Sequence, residues 1–170
     1  MISNTQRELV KKLMDDLISK NEFVQAFFEN ASVHSDYLLE LLEEVYMEKN
    51  ADDLEDIMYV GFVFNLFTIK YTSILCKLIE EDWHISHEDI ASLFQKLKPI
   101  DACESLYIAA NHRLEYLEYD EAYALAVKCI WALGTINTDL SIEKLKLLAT
   151  SSNEIIRESA INQLSQTGNL

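Results

Sequence analysis

A chain of 170 residues has the length of one domain and can bury roughly 70% of its unfolded surface. It carries a formal net charge of −15 and only one Pro and three Gly. So little punctuation excludes a many-stranded β fold, and helix-forming residues point to an all-α domain. The acidity repels nucleic acid and anionic membranes and either steers basic partners inward or merely keeps the chain soluble.

Taken in order, residues 5–19 are predicted as an amphipathic helix, with Leu9, Val10, Leu13, Met14 and Leu17 at helical spacing. A short helix over 21–30 bears Phe23, Val24, Phe27 and Phe28. Together these form the expected cover for the open end of a helical stack. A helix over 35–48 follows, with Leu38, Leu39, Leu41, Leu42 and Val45 as its core face. After the polar break at 49–53, Asp53 with Asp56 reads as a capping pair for a helix over 54–68. That helix is apolar nearly all round, so a central place is expected, and Gly61 suggests a close helix crossing.

Helices over 70–81 and 86–97 come next, the second opened by Ser86 with Asp89 and stopped by Pro99. Asp101 with Glu104 opens another helix to about Leu117, and Asp120 opens one ending at Gly134, a residue suited to a left-handed C-cap. Ser141 starts a helix over 142–149. The polar break at 150–153 offers capping oxygens for a last helix through Ile156, Ala160 and Leu164.

Cys76, Cys103 and Cys129 are odd in number, widely spaced and on predicted helices; they match no zinc pattern and read as buried reduced thiols of a reducing compartment. The start MISNTQRELVKKL carries charges where a signal peptide needs an apolar run. Residues 57–75 come nearest to a membrane span, but Asn65, Thr68, Lys70, Thr72 and Ser73 interrupt them, so a buried helix is the better reading. A cytoplasmic protein is expected.

The turns inside successive helix pairs fall near Ala51, Trp83, Tyr119 and Ser152, about 32 to 36 residues apart, a helical-hairpin repeat length. In a stack of hairpins, equivalent turns line one edge. The acidic, aromatic turns Glu80, Glu81, Asp82, Trp83, His84 and Glu115, Glu118, Tyr119, Asp120, Glu121 are therefore expected side by side, forming a surface for a basic protein. Tyr116 and Tyr123 serve equally well as packing between repeats.

No nucleophile constellation, phosphate loop or HExxH occurs, and exposed turn acids such as Glu115 with Glu118 or Asp120 with Glu121 lack the desolvation that acid–base work needs. Glu81 and His84 form one ExxH, with His87 and Asp89 nearby. A di-iron site needs two such motifs and further carboxylates, so a capped turn is the plainer reading. No enzyme activity, metal or cofactor is expected.

The tail carries a family resemblance. "ALG" closing one helix, "LKLLA" in the next, and then Asn153, Ile156, Arg157, Ala160 and Leu164 resemble the HEAT-like repeats of bacterial solenoid proteins. One repeat back, Ala126 stands where a counterpart of Arg157 is expected. The segments LCKLIEEDWHISHEDIASLFQKLK, EYLEYDEAYALAVKCIWALG and SSNEIIRESAINQL look like a bacterial HEAT-repeat group, over roughly residues 75–164. Its members include immunity proteins of polymorphic and contact-dependent growth inhibition toxin systems.

The resemblance implies an all-α, HEAT-like α-solenoid of about five antiparallel helix hairpins in a single domain over 1–170. Residues 1–34 would be an N-terminal cap, 35–98 degenerate repeats and 99–166 clearer ones. It implies a non-enzymatic antitoxin that binds one cognate toxin domain, such as a basic EndoU-type ribonuclease, without touching nucleic acid or membrane itself. The alternative is a general HEAT-like scaffold or accessory subunit for another basic protein.

Overall fold

Five helix starts are written into this chain as capping side chains, Ser3, Ser19, Asn50, Thr138 and Asn153, in the computed structural model, which describes residues 2–29 and 34–170. Among the described residues all regular structure is helical. The backbone gathers into two compact units, Met1–Phe67 and Thr68–Leu170.

In the first unit, Ser3 and Gln6 form a reciprocal capping box that opens α1 (Asn4–Met14). The helix stops at Asp15 and Asp16, the latter left-handed at φ 55°. It is shorter than the predicted 5–19 because Ser19 is spent on a second box, with Glu22, opening α2 (Lys20–Phe27). The predicted end of that helix at Asn30 lies outside the described residues. Phe23 stacks on Phe27 at 4.8 Å and on Phe64 at 5.3 Å. Phe23 and Phe27, with Leu38, Leu42 and Val45 of α3 (His34–Glu48), are buried, and Phe64 is half-buried.

α4 (Ala51–Val63) begins three residues before the predicted start. Asn50 is the cap, accepting the Asp53 N–H at 3.0 Å. Asp53 is not a capping residue: it is wholly buried and accepts Arg7 Nε and Nη2 of α1, each at 2.7 Å. Burial, and then Asp53 itself, push the neighbouring Asp56 carboxyl above its ordinary value. The helix also ends early. Asn65 turns left-handed and the Leu66 N–H closes on Gly61 O at 2.9 Å. The Phe67 ring then folds over Gly61, in the space a Cβ there would fill. Gly61 thus admits a ring from its own turn rather than a crossing helix.

The second unit contains α5 (Thr72–Ile79), α6 (His87–Leu97), α7 (Cys103–Asn111), α8 (Ala124–Ile136), α9 (Asp139–Leu148) and α10 (Glu154–Gln166). α5, α7 and α9 pack in that order, as do α6, α8 and α10, and each helix of the first set touches its successor in the second. The interior is apolar, built from Leu75, Leu78, Ile90, Phe94, Leu106, Ile130, Leu133, Leu145 and Leu148, all essentially inaccessible. Cys103 and Cys129 are buried and Cys76 half-buried; all three are free thiols whose pKa burial pushes up. No helix among the described residues is long and apolar enough to cross a membrane; the apolar stretch at 57–75 is divided between α4, a turn and α5.

Several predicted boundaries move. Neither Ser86 nor Asp101 makes a capping hydrogen bond; α6 and α7 grow from turns of 3-10 type or similar backbone instead. Lys98 is left-handed at φ 54° and Pro99 follows, stopping α6 as expected. The helix predicted to reach Leu117 ends at Asn111, where His112 turns extended and buried Leu114 carries the chain into a 3-10 turn, Glu115–Leu117. α8 runs through Gly134 to Ile136, and Asn137 is its left-handed cap. Gly134 instead leaves room for Gln163 of α10, whose Cδ stands 2.9 Å from where a Cβ would be. α9 starts at Asp139, because Thr138 and Ser141 form a capping box. Asn153 caps α10 by accepting the Ile156 N–H at 3.1 Å.

Candidate functional site

Two loops of the second unit hold the acidic and aromatic residues singled out in the sequence. The first joins α5 to α6 and is built around two imidazoles. His84 is 2% exposed. Its Nε2–H donates to Leu78 O at 2.9 Å, while Nδ1 accepts the Ser86 N–H at 3.1 Å, which fixes a neutral tautomer. Burial above all, and then neighbouring His87, hold the pKa of His84 down at about 4. His87 stacks on it at 4.2 Å, donates from Nε2 to Glu81 O at 2.6 Å, and is likewise lowered by burial.

The second loop joins α7 to α8 and is bonded to the first through Tyr116. The Tyr116 hydroxyl donates to His87 Nδ1 at 2.9 Å. Burial first, then Glu88 and Asp89, push that hydroxyl up to about 12, so it remains a proton donor. The chain thus brings the two turns together through Tyr116 and His87. Tyr116 is itself 40% exposed, and its hydroxyl ties the two loops.

The ten candidate contact residues separate by role. Glu115, Glu118 and Glu121 are exposed, and Tyr119 is 90% exposed. Among the described residues, Glu115, Glu118 and Tyr119 make no side-chain hydrogen bond or ion pair. Asp82 is exposed, Glu81 half-buried, and Glu80 exposed while accepting the Ser105 hydroxyl at 2.5 Å. Trp83 is half-buried, with its indole N–H buried and lacking a hydrogen-bond partner among the described residues, and it meets His84 edge-on at 4.8 Å.

Two of the ten face inward or are engaged by backbone. His84 offers no ring nitrogen to a partner and is corrected to a staple inside the first turn. Asp120 accepts the Ala122 N–H at 3.0 Å and the Ala124 N–H at 2.6 Å, so it is the working cap of α8. Tyr123, left-handed at φ 51°, holds the bend that lets it do so.

Glu115, Glu118 and Asp120 also line a groove of about 500 Å³ that the sequence did not announce. Its floor contains buried Leu114, Leu125 and Ile156, and its far wall is the α9–α10 turn, Ser151, Ser152 and Asn153. The turn was predicted, but the separation of the loops that creates the groove follows from the early end of α7. A second acidic surface was missed as well. In the first unit, Glu40, Glu43, Glu44 and Glu48 of α3 flank Met47, which is 77% exposed. Nine acids against one base over residues 34–63 were its signal.

Among the described residues, no group of three or more His, Cys, Asp or Glu is arranged to hold a metal ion; both imidazoles of the ExxH region are occupied by hydrogen bonds to the chain itself. Comparison of the chain with protein families, curated proteins and solved structures finds no match.

Proposed function

We propose that this chain is a non-enzymatic binding protein, an immunity protein of a toxin system, that neutralises a basic toxin domain such as an EndoU-type ribonuclease. One observation carries the reading: Glu115, Glu118 and Tyr119 stand exposed with unengaged side chains on a loop anchored by the Tyr116–His87 bond. A loop tied down by such a bond offers charge and an aromatic ring at a smaller ordering cost on docking, which favours affinity. The acidic chain supplies long-range steering of a positively charged partner, raising association roughly 10–10³-fold. The pairing of α5 with α6, α7 with α8 and α9 with α10, in two ordered sets, supports a HEAT-like α-solenoid in the second unit. In that role the protein acts in the cytoplasm.

The experiment takes the toxin domain encoded directly ahead of this gene and measures RNA cleavage as the chain is added. Stoichiometric loss of cleavage is expected. Undiminished cleavage at excess chain, or a gene with no toxin beside it, overturns this reading and favours an accessory scaffold.

A further inference from the structure

We infer that the groove between the α7–α8 loop and the α9–α10 turn receives an extended, basic segment of the partner, with Lys or Arg side chains alternating with aliphatic ones. This rests on the proposed function and names where on the edge the partner's chain is gripped. The groove has the chemistry of such an occupant on each side. Buried Leu114, Leu125 and Ile156 give it an apolar floor, against which the aliphatic side chains can lie. Glu115 and Glu118 stand at its rim with carboxylates that no group of the described chain engages, available to the cationic heads.

Asp120 adds a third negative charge although its oxygens cap α8, whereas Arg113 is the one positive side chain on the lining. The sign of the groove is therefore negative. An anionic occupant would meet three carboxylates against the Arg113 guanidinium on the lining and that of Arg157 behind the far wall. The opposite wall presents no carboxylate: Ser152 is exposed there, Asn153 is committed to capping α10, and the Arg157 guanidinium donates to Ser151 O at 3.0 Å and Ser152 O at 3.4 Å behind it. In an extended segment successive side chains point to opposite sides, so alternate residues meet floor and rim.

The test uses the full chain and a fluorescent peptide alternating Lys or Arg with Val, beside a twin in which Glu replaces every base. Anisotropy reads affinity, and amide NMR shifts read position. The basic peptide should bind, the acidic twin should not, and the shifts should fall on residues 110–126 and 151–156. Glu115→Lys with Glu118→Lys should weaken binding about tenfold or more, while the same charge change at Glu40 and Glu43 on α3 should matter far less. Arg113→Glu should tighten it. Ser152→Trp, which fills the groove without altering charge, should weaken it while circular dichroism stays helical.

Equal weakening by both pairs of reversals, or shifts away from the groove, overturns the assignment by reducing the effect to bulk charge. If the chain neutralises its toxin while Ser152→Trp leaves both neutralisation and peptide affinity unchanged, the groove is discarded and the immunity reading stands. Binding of the peptide in the groove without neutralisation of any adjacent toxin keeps the groove and discards the immunity reading.

Discussion

His84 is the residue whose surroundings leave least choice. Burial holds it neutral down to about pH 4, while in the unfolded chain it takes up a proton near the ordinary 6.5. Because the folded pKa is the lower, the unfolded state binds the proton first as pH falls. Stability is therefore full above about 6.5 and is lost between there and about 4, by on the order of 2–3 kcal/mol. Urea unfolding at neutral pH and near pH 5 should reveal the loss, and His84→Gln should flatten that part of the profile while lowering stability at neutral pH. An unchanged slope in the variant would move the acid sensitivity to other groups. Asp120 makes a second prediction at this scale: Asp120→Ala leaves two backbone N–H groups without their acceptor and should cost about 1–2 kcal/mol, read as a lower urea midpoint.

At the scale of elements, the two helix-interior glycines separate packing from propensity. A methyl at Gly61 would overlap the Phe67 ring, which is buried, so Gly61→Ala should destabilise by about 1–3 kcal/mol. At Gly134 the obstacle is the flexible end of Gln163, which can swing aside, so Gly134→Ala should be neutral or gain up to about 1 kcal/mol from helix propensity. Thermal melts of both variants decide it; similar losses in the two would contradict this contrast. The same glycines show what periodicity could and could not disclose. Apolar spacing and caps such as Asn153 revealed most helices, because burial and end-satisfaction act locally, whereas the cap at Ser19 was read as helix interior. What Gly61 and Gly134 accommodate is a long-range fact, decided by which side chain arrives from elsewhere. The capping pairs at Asp53, Ser86 and Asp101 failed for a related reason. An acid three residues after a polar residue is also what a buried ion pair or an exposed first turn looks like, as Asp53 with Arg7 demonstrates.

On the scale of the whole molecule, charge alone does not select a binding surface. Residues 1–67 hold fourteen acids against five bases, and residues 68–170 fifteen against nine. Steering by that excess should fade with added salt, since the screening length shortens to roughly 8–10 Å near physiological ionic strength. Position-specific contacts should persist there. The contact between the two loops, through Tyr116 and His87, accords with the hairpin spacing, whereas the burial of His84 depends on its bonds to Leu78 and Ser86 and the groove beside Glu115 on which turns line it, neither of which periodicity discloses. The most direct measurement is a titration of toxin-domain RNA cleavage with the native chain and with a Glu115→Lys, Glu118→Lys, Tyr119→Ala variant at physiological salt. Stoichiometric inhibition by the native chain is expected, weakened by about tenfold or more in the variant; equal inhibition by both would show that this loop does not grip the toxin.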